Sequence, residues 1–335
     1  MKLLIVTQKV DENDDVLGFF HPWLKEFARY CEKVEVVCLF EGEHHLPANV
    51  RVHSLGKEKG ANKLTQLLRF AIYVLRLPYS AVFVHMNPIY VCLAGPWWRL
   101  TGRKIALWYT HKEVDLKLHL AALLTDFIAT AAPESFNLAS KKVRVLGHGI
   151  EISRFKNPGI LPIKNLVVSV GRITPIKHQD LLIEAVEILR ERGRDIRVRY
   201  IGAPVYDSDV KYDADIKKAI DDYGLEEYVE FAGSMSYKNV AKEYWNAAIS
   251  VNLLPTGGLD KAVFESLAAG TPALTTNFGF ERLALQGLVI CNLDARVIAK
   301  NLGEMLANPL VVDVNKIAKD YSTEQIVSKI MSLYG

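Results

Sequence analysis

Two glycines, one carboxylate and an abrupt stop mark residues 256–274, TGGLDKAVFESLAAGTPAL. The apolar strand pattern Ile249–Leu253 leads into Gly257 and Gly258, which permit positive φ and close approach by a ligand. The spacing that follows predicts a helix from Leu259 to Ala269, stopped by Gly270 and Pro272. A helix start offers free backbone N–H groups and a partial positive charge, so its natural occupant is an anion, phosphate above all. Glu265 lies two turns in, where a carboxylate could accept the paired hydroxyls of a ribose. A plain strand–turn–helix with a solvent-facing Glu265 would carry the same letters.

A second stretch, VVSVGRITPIKHQDLLIEAVEIL (167–189), follows a strand with Gly171-Arg172 and places Lys177 five residues after the arginine. The two cations bracket a turn at the carboxyl end of the strand. Arginine offers a planar fork to phosphate oxygens and lysine a mobile point charge. The pattern is not a Walker loop, which needs G-x-x-x-x-G-K-[ST]. Together with the later helix start, Arg172 and Lys177 make a diphosphate cradle. Alone they would read as surface charges.

The elements that must position these groups alternate along the chain. Strand patterns fall at Leu3–Val6, Val34–Phe40, Ala81–His85, Ile105–Tyr109, Phe127–Thr130 and Val143–Leu146. A second series runs Leu166–Val170, Ile196–Ile201, Val229–Phe231, Ile249–Leu253, Ala273–Thr276 and Leu288–Cys291. Helical patterns lie between them at Pro22–Tyr30, Lys63–Leu77, Gln179–Arg192, Asp209–Tyr223, Lys238–Ala247 and Ala295–Ala307. Runs of Val, Ile and Leu without alternation fit strands covered on both faces, hence parallel sheets with crossover helices. The fold class is α/β, with two doubly wound domains. Residues 1–150 form the first, 151–165 a Pro- and Gly-containing linker, 166–320 the second, and 321–335 a terminal helix opened by Ser322 and Gln325 in capping-box spacing. In such sheets ligands sit at the carboxyl ends of strands, so facing sheets would leave a cleft between those edges.

The chain resembles the retaining glycosyltransferases of family 4, which have the GT-B fold. The resemblance rests on GRITPIKHQDLLIEA, FESLAAGTPAL, GHGIEISRF near the linker and YTHKEV around His111, and extends over most of the chain. It implies two Rossmann-like domains facing across a cleft, with the acceptor in the first, the nucleotide sugar in the second, and the terminal helix packing back toward the first. Arg172 and Lys177 would bind the donor diphosphate and Glu265 the donor ribose. Backbone from Gly258 through Leu259, Asp260, Lys261 and Ala262 would lie against phosphate and sugar, with Gly202 and Met235 also at the donor. His111 matches a histidine beside the transferred sugar and joins Arg172 and Lys177 as catalytic. Gly18 and Phe19 match the N-terminal loop facing donor and acceptor. One departure stands out: Gly257 occupies the place of a first glutamate eight positions before Glu265, with Asp260 close by.

The implied reaction moves a sugar, with retention, from a nucleoside diphosphate sugar to a glycan or lipid-linked acceptor in the synthesis of a cell-surface glycan or glycolipid. A non-catalytic nucleotide-sugar binder and a nucleotide-sugar epimerase of the same fold are the alternatives. No cofactor beyond the co-substrate and no metal is expected. Asp207-Ser-Asp209 and Asp213-Ala-Asp215 have the letters of a metal-binding D-x-D, but acids favour helix starts and these precede and open a helix. His44, His45 and His148 show no cluster of acids or cysteines at ligand spacing and read as surface or loop residues.

The 335 residues carry a net charge of only +3, unevenly spread. Between Arg51 and Lys112 ten basic residues meet one acid, Glu58, whereas from Phe155 onward 21 basic residues meet 23 acidic ones. A basic first half suits an anionic partner such as a membrane surface, though ordinary solvated charges would look alike. The amphipathic KLTQLLRFAIYVLRL (63–77) and PWWRLTGRK (96–104) add apolar and aromatic residues to that half; a crossover helix and core tryptophans are the competing reading. No apolar run approaches the roughly 20 residues of a membrane span, and MKLLIVTQKV reads as a buried strand. The four cysteines form no C-x-x-C pair, and no helix-turn-helix, RNP-like or zinc pattern points to nucleic acid. The expectation is a cytoplasmic protein able to sit peripherally on the inner face of a membrane.

Overall fold

Residues 3–6 at the heart of the first strand are wholly buried, as an uninterrupted apolar strand between two layers of helices must be. The computed structural model describes residues 1–255 and 258–335; the expected role of Gly257 therefore lies outside the described residues. The chain divides into two units, Met1–Glu151 with Tyr321–Gly335, and Ile152–Asp320.

The first unit contains β1 (Lys2–Val10), α1 (Phe20–Tyr30), β2 (Lys33–Glu41), β3 (Val50–Ser54), α2 (Lys63–Arg76), β4 (Ala81–His85), α3 (Pro88–Leu100), β5 (Lys104–Trp108), α4 (Leu116–Leu124), β6 (Phe127–Thr130) and β7 (Val143–Val145). Its sheet is parallel, in the order β3-β2-β1-β4-β5-β6-β7. Successive β1 side chains point to opposite faces. Leu3 and Ile5 meet Phe20, Trp23 and Phe27 of α1, while Leu4 and Val6 meet Phe70, Trp98 and Leu118 from the helices of the other face.

The second unit contains α5 (Ile152–Phe155), β8 (Leu166–Val170), α6 (Gln179–Glu191), β9 (Arg197–Ile201), α7 (Asp207–Asp222), β10 (Val229–Phe231), α8 (Tyr237–Asn246), β11 (Ile249–Asn252), α9 (Lys261–Ala268), β12 (Ala273–Thr275), β13 (Leu288–Ile290), α10 (Ala295–Ala307) and most of α11 (Val314–Tyr321). Its parallel sheet runs β10-β9-β8-β11-β12-β13. The last helix, α12 (Thr323–Ser332), belongs to the first unit. Ile326 and Ile330 enter that core, Tyr334 Oη donates to Val82 O at 2.7 Å, and Lys104 Nζ donates to Tyr334 O at 2.7 Å.

The sequence patterns miss β3, α3, α4 and α11. The edge strand β3 is short, and its Arg51 and His53 alternate with Val50 and Val52, unlike the uninterrupted apolar runs of the covered strands. In α3, Pro88, Gly95 and Pro96 hide the helical period, although Pro88 sits harmlessly in the first turn. The tryptophans of 96–104 divide: Trp98 is fully buried and donates to Tyr79 Oη at 2.9 Å, whereas Trp97 is exposed. The segment 151–165 is not all connector. Phe155 is buried against Tyr237 and Tyr244, and its carbonyl accepts from Trp245 Nε1 at 2.7 Å.

At the end of β4 lies a histidine that the strand pattern concealed. His85 is buried, stacks on Phe20 at 4.0 Å between centroids and has Nδ1 3.2 Å from Thr7 Oγ1. Burial pushes its pKa from 6.5 down to about 3. The unfolded chain therefore takes up the proton first, so stability rests on neutral His85 above pH 6.5 and is lost as pH falls from 6.5 toward 3. Urea titrations across that window should show a loss of up to ~1.4 kcal/mol per pH unit that His85→Gln flattens. Equal slopes in the two proteins would refute this origin.

Candidate functional site

In the second unit β8 is flanked by β9 on one side and β11 on the other, so the strand order reverses there and a crevice opens at the carboxyl ends. The backbone at this point is crowded. Gly202 has φ +145°, and a Cβ on it would lie 2.0 Å from Gly171 O. Gly171 itself has φ +139°, and a Cβ there would lie 2.8 Å from Lys177 Nζ. Only glycine lets the two strand ends approach while the lysine folds back over the turn. Gln179 fixes the turn from within: its Nε2 donates to Arg172 O at 2.9 Å and its Oε1 accepts from Thr174 N at 3.4 Å.

Lys177 Nζ donates to Asp260 Oδ2 at 2.6 Å. The same oxygen accepts from Asn252 Nδ2, at the end of β11, at 2.9 Å. Asp260 Oδ1 accepts from Ala262 N at 3.1 Å, making the aspartate the N-cap of α9. Burial alone would raise the pKa of this carboxyl, but the Lys177 charge and the donors from Lys177, Asn252 and Ala262 hold it well below the ordinary range. An anion thus rests where a cation and a helix start converge, and it is supplied by the chain itself.

Glu265 does not face solvent. Its side chain is 7% exposed and pairs with Lys261 Nζ at 2.9 Å, one helical turn back. Burial raises its pKa against the opposing charge of Lys261, and the charge of Asp260 adds to the rise. Lys261 Nζ also lies 4.4 Å from the ring centroid of Tyr237. Downstream, Gly270 at φ +82° ends the helix, with Ser266 Oγ donating to Thr271 O at 2.8 Å and Thr271 Oγ1 to Tyr244 O at 2.6 Å.

Lys177, Asp260, Lys261, Ala262 and Glu265 therefore meet at one end of the sheet, with Gly258 tied by its carbonyl to Asn277 Nδ2 at 3.3 Å and Leu259 buried beside them. Arg172 is exposed and rests its guanidinium over the Tyr206 ring at 5.5 Å. Met235 is half-buried in the loop after β10. Asp209 turns back to accept from Tyr206 N at 3.2 Å, a helix-start role. In the first unit, His111 is exposed in the loop after β5, with Nδ1 accepting from Glu113 N at 3.1 Å. Gly18 N donates to Asp14 O at 3.2 Å, and the Phe19 ring meets His85 edge-on at 6.0 Å. One expectation is corrected: His45 does have acids around it. Its Nδ1 lies 3.0 Å from Glu12 Oε1, and Glu43 completes the group. Glu12 comes from a different loop, so sequence spacing could not reveal the cluster.

The Asp260–Lys177 and Lys261–Glu265 pairs were not anticipated. The i, i+4 spacing of Lys261 and Glu265 was the available signal for the second pair, whereas the first joins residues 83 positions apart.

A family model described as glycosyl transferases group 1 matches residues 152–323, just over half of the chain. The chain is 26% identical over 224 residues to the putative colanic acid biosynthesis glycosyltransferase WcaL of Salmonella typhimurium, covering 60% of this chain and 52% of that protein. It is 26% identical over 190 residues to the D-inositol 3-phosphate glycosyltransferase of Nocardia farcinica, covering 52% and 42%. The chain thus spans about half the length of the curated relatives it matches. Among solved structures, Anabaena Alr3699/HepE in complex with UDP superposes with TM-score 0.76 at 14% identity over 99% of both chains. Sucrose-phosphate synthase from Thermosynechococcus elongatus gives 0.76 at 15% identity, over 100% and 98%. These likenesses establish the GT-B fold.

Asp260→Ala should destabilise the protein by about 1–3 kcal/mol, since it removes a helix cap and leaves Lys177 without its counter-charge. Asp260→Asn, which can still cap, should cost less. Urea denaturation of both variants checks the order, and an inverted order would rule out the capping role.

Proposed function

Because the chain belongs to the glycosyl transferases group 1 family, we propose that it transfers a sugar from a nucleoside diphosphate sugar to a hydroxyl of a glycan or lipid-linked acceptor. The observation that carries this reading is the convergence of Lys177 and the start of α9 on the Asp260 carboxylate. A diphosphate entering there competes with Asp260 for the same donors. The UDP held by the Anabaena structure makes a uridine nucleotide the first donor to test.

Chemically, the bond from the anomeric carbon to the phosphate oxygen breaks and a bond to the acceptor oxygen forms. The acceptor proton passes to the departing phosphate, and configuration is retained, as the resemblance implies. Negative charge grows on the diphosphate. Lys177 and the first N–H groups of α9 are already aimed at that point, so little reorganisation is required. Arg172 swings from the Tyr206 ring to add a forked contact. Glu265, buried and fixed by Lys261, takes the ribose hydroxyls. His111 is assigned to the transferred sugar. No step is assigned to a metal ion.

A non-catalytic nucleotide-sugar binder is favoured by one observation, the prior neutralisation of Lys177 by Asp260. Tight binding of UDP with neither transfer nor donor hydrolysis would decide for it.

Lys177→Ala should lower kcat by roughly 10²–10³-fold, the scale of one lost oxyanion donor, and EDTA should leave the rate unchanged. Steady-state assays with the identified donor provide the check; a near-normal Lys177→Ala rate would remove the cradle from the reaction. Asp260→Asn removes the competing charge while keeping a cap, so calorimetry should record tighter UDP binding than in the natural chain. Weaker binding would mean that Asp260 positions Lys177 for the ligand instead.

A further inference from the structure

Helix α2 carries an apolar stripe on the wrong side for a crossover helix. Phe70 and Val74 face the sheet and are buried. Leu64, Leu67, Leu68, Ala71, Ile72 and Leu75 are all exposed, Leu64 by 65% and Leu75 by 61%. At the α-helical repeat these six positions fall within an arc of about 140°, so they form one continuous outward face.

The next two helices repeat the arrangement. On α3 the exposed apolar residues are Ile89, Leu93, Trp97 and Leu100, at helical spacing, with Leu100 exposed by 80%. On α4 they are Leu116, Leu120 and Leu123. Helix α3 packs on α4, and α2 and α3 share an apolar groove lined by Leu67, Ala71, Leu75, Leu93, Ala94 and Trp97. All three helices bury their inner sides in the same core cluster. A patch of this extent marks an interaction surface rather than scattered surface leucines.

The charge around it selects the occupant. From Ala61 to Lys112, the stretch that holds α2 and α3, there are seven lysines and arginines and not one acidic residue, while at α4 Lys117 pairs with Asp115. Lys63 and Arg76 are exposed on α2, and Arg99 is exposed on α3 while pairing with Asp126 at 2.8 Å. A second copy of this face would bring positive charge against positive charge. An anionic lipid leaflet satisfies both features: its headgroups take the cations while leucine side chains and Trp97 enter the acyl boundary.

We propose that the outer face of α2, α3 and α4 docks on the surface of an anionic membrane, lying in its plane without crossing it. No helix among the described residues is long and apolar enough to cross a membrane. This docking does not depend on the donor reading. It gives a lipid-linked acceptor a surface along which the protein could meet it.

Co-sedimentation with vesicles of phosphatidylcholine alone, or mixed with phosphatidylglycerol, tests the proposal on the whole chain. Binding should require phosphatidylglycerol. It should fall by roughly tenfold or more in the combined variant Leu64→Ser, Leu68→Ser, Leu75→Ser, and also in Lys63→Glu, Arg76→Glu. The changed residues are exposed, so thermal unfolding should be unaltered; Val210→Ser, exposed on α7, should bind vesicles normally. Lys177→Ala should also bind vesicles normally, which separates this surface from the donor site. Absence of vesicle binding by the natural chain, or undiminished binding by the leucine variant, would overturn the proposal. So would a dimer in sedimentation that the leucine variant abolishes while lipid binding is absent.

Discussion

One carboxylate organises the second unit's functional edge. Asp260 joins the turn after β8, through Lys177, to the end of β11, through Asn252, and to the first turn of α9, through Ala262 N. None of these groups would hold its place alone. The Lys177 ammonium would otherwise be a part-buried charge without a counter-charge, and a helix start with unmet N–H groups is unstable in a buried setting. The aspartate answers both demands with one charge. The consequence is an edge whose turn, strand end and helix start are held together by the chain's own charges and amide groups.

The glycines set the stage for that contact. Gly202 allows the ends of β8 and β9 to touch, and Gly171 leaves room for the lysine to lie across the turn. Side chains at either position would separate the strand ends or push Lys177 off Asp260. The geometry at this edge therefore rests on the absence of two side chains as much as on the charges present.

Much of this was readable from the letters. Strand and helix alternation gave the two parallel sheets, because short Val, Ile and Leu runs set between helical patterns fit strands covered on both faces. Gly270-Thr-Pro gave the end of α9. Arg172, Lys177 and Glu265 were picked out by type and by their positions after strands. What stayed hidden were pairings between distant residues: Lys177 with Asp260, Glu12 with His45, Thr7 with His85. These depend on which strand ends become neighbours, a property of the sheet order. Helix α3 stayed hidden for a different reason, since its prolines and glycine obscure a period that burial obeys. The inverted stripe of α2 was legible as amphipathic, but its outward direction was not.

The closing segment of the chain has a consequence for how the protein is made. Ile150 and Ser322 form a parallel bridge, and beyond it α12 completes the first core, with Tyr334 bonded to Val82 and Lys104. On a ribosome, the first unit must therefore wait, with the side of β1 and β4 against α1 partly uncovered, until the whole second unit has been synthesised. The first core is thus closed by residues made after the second unit, so the order of assembly runs opposite to the order of synthesis.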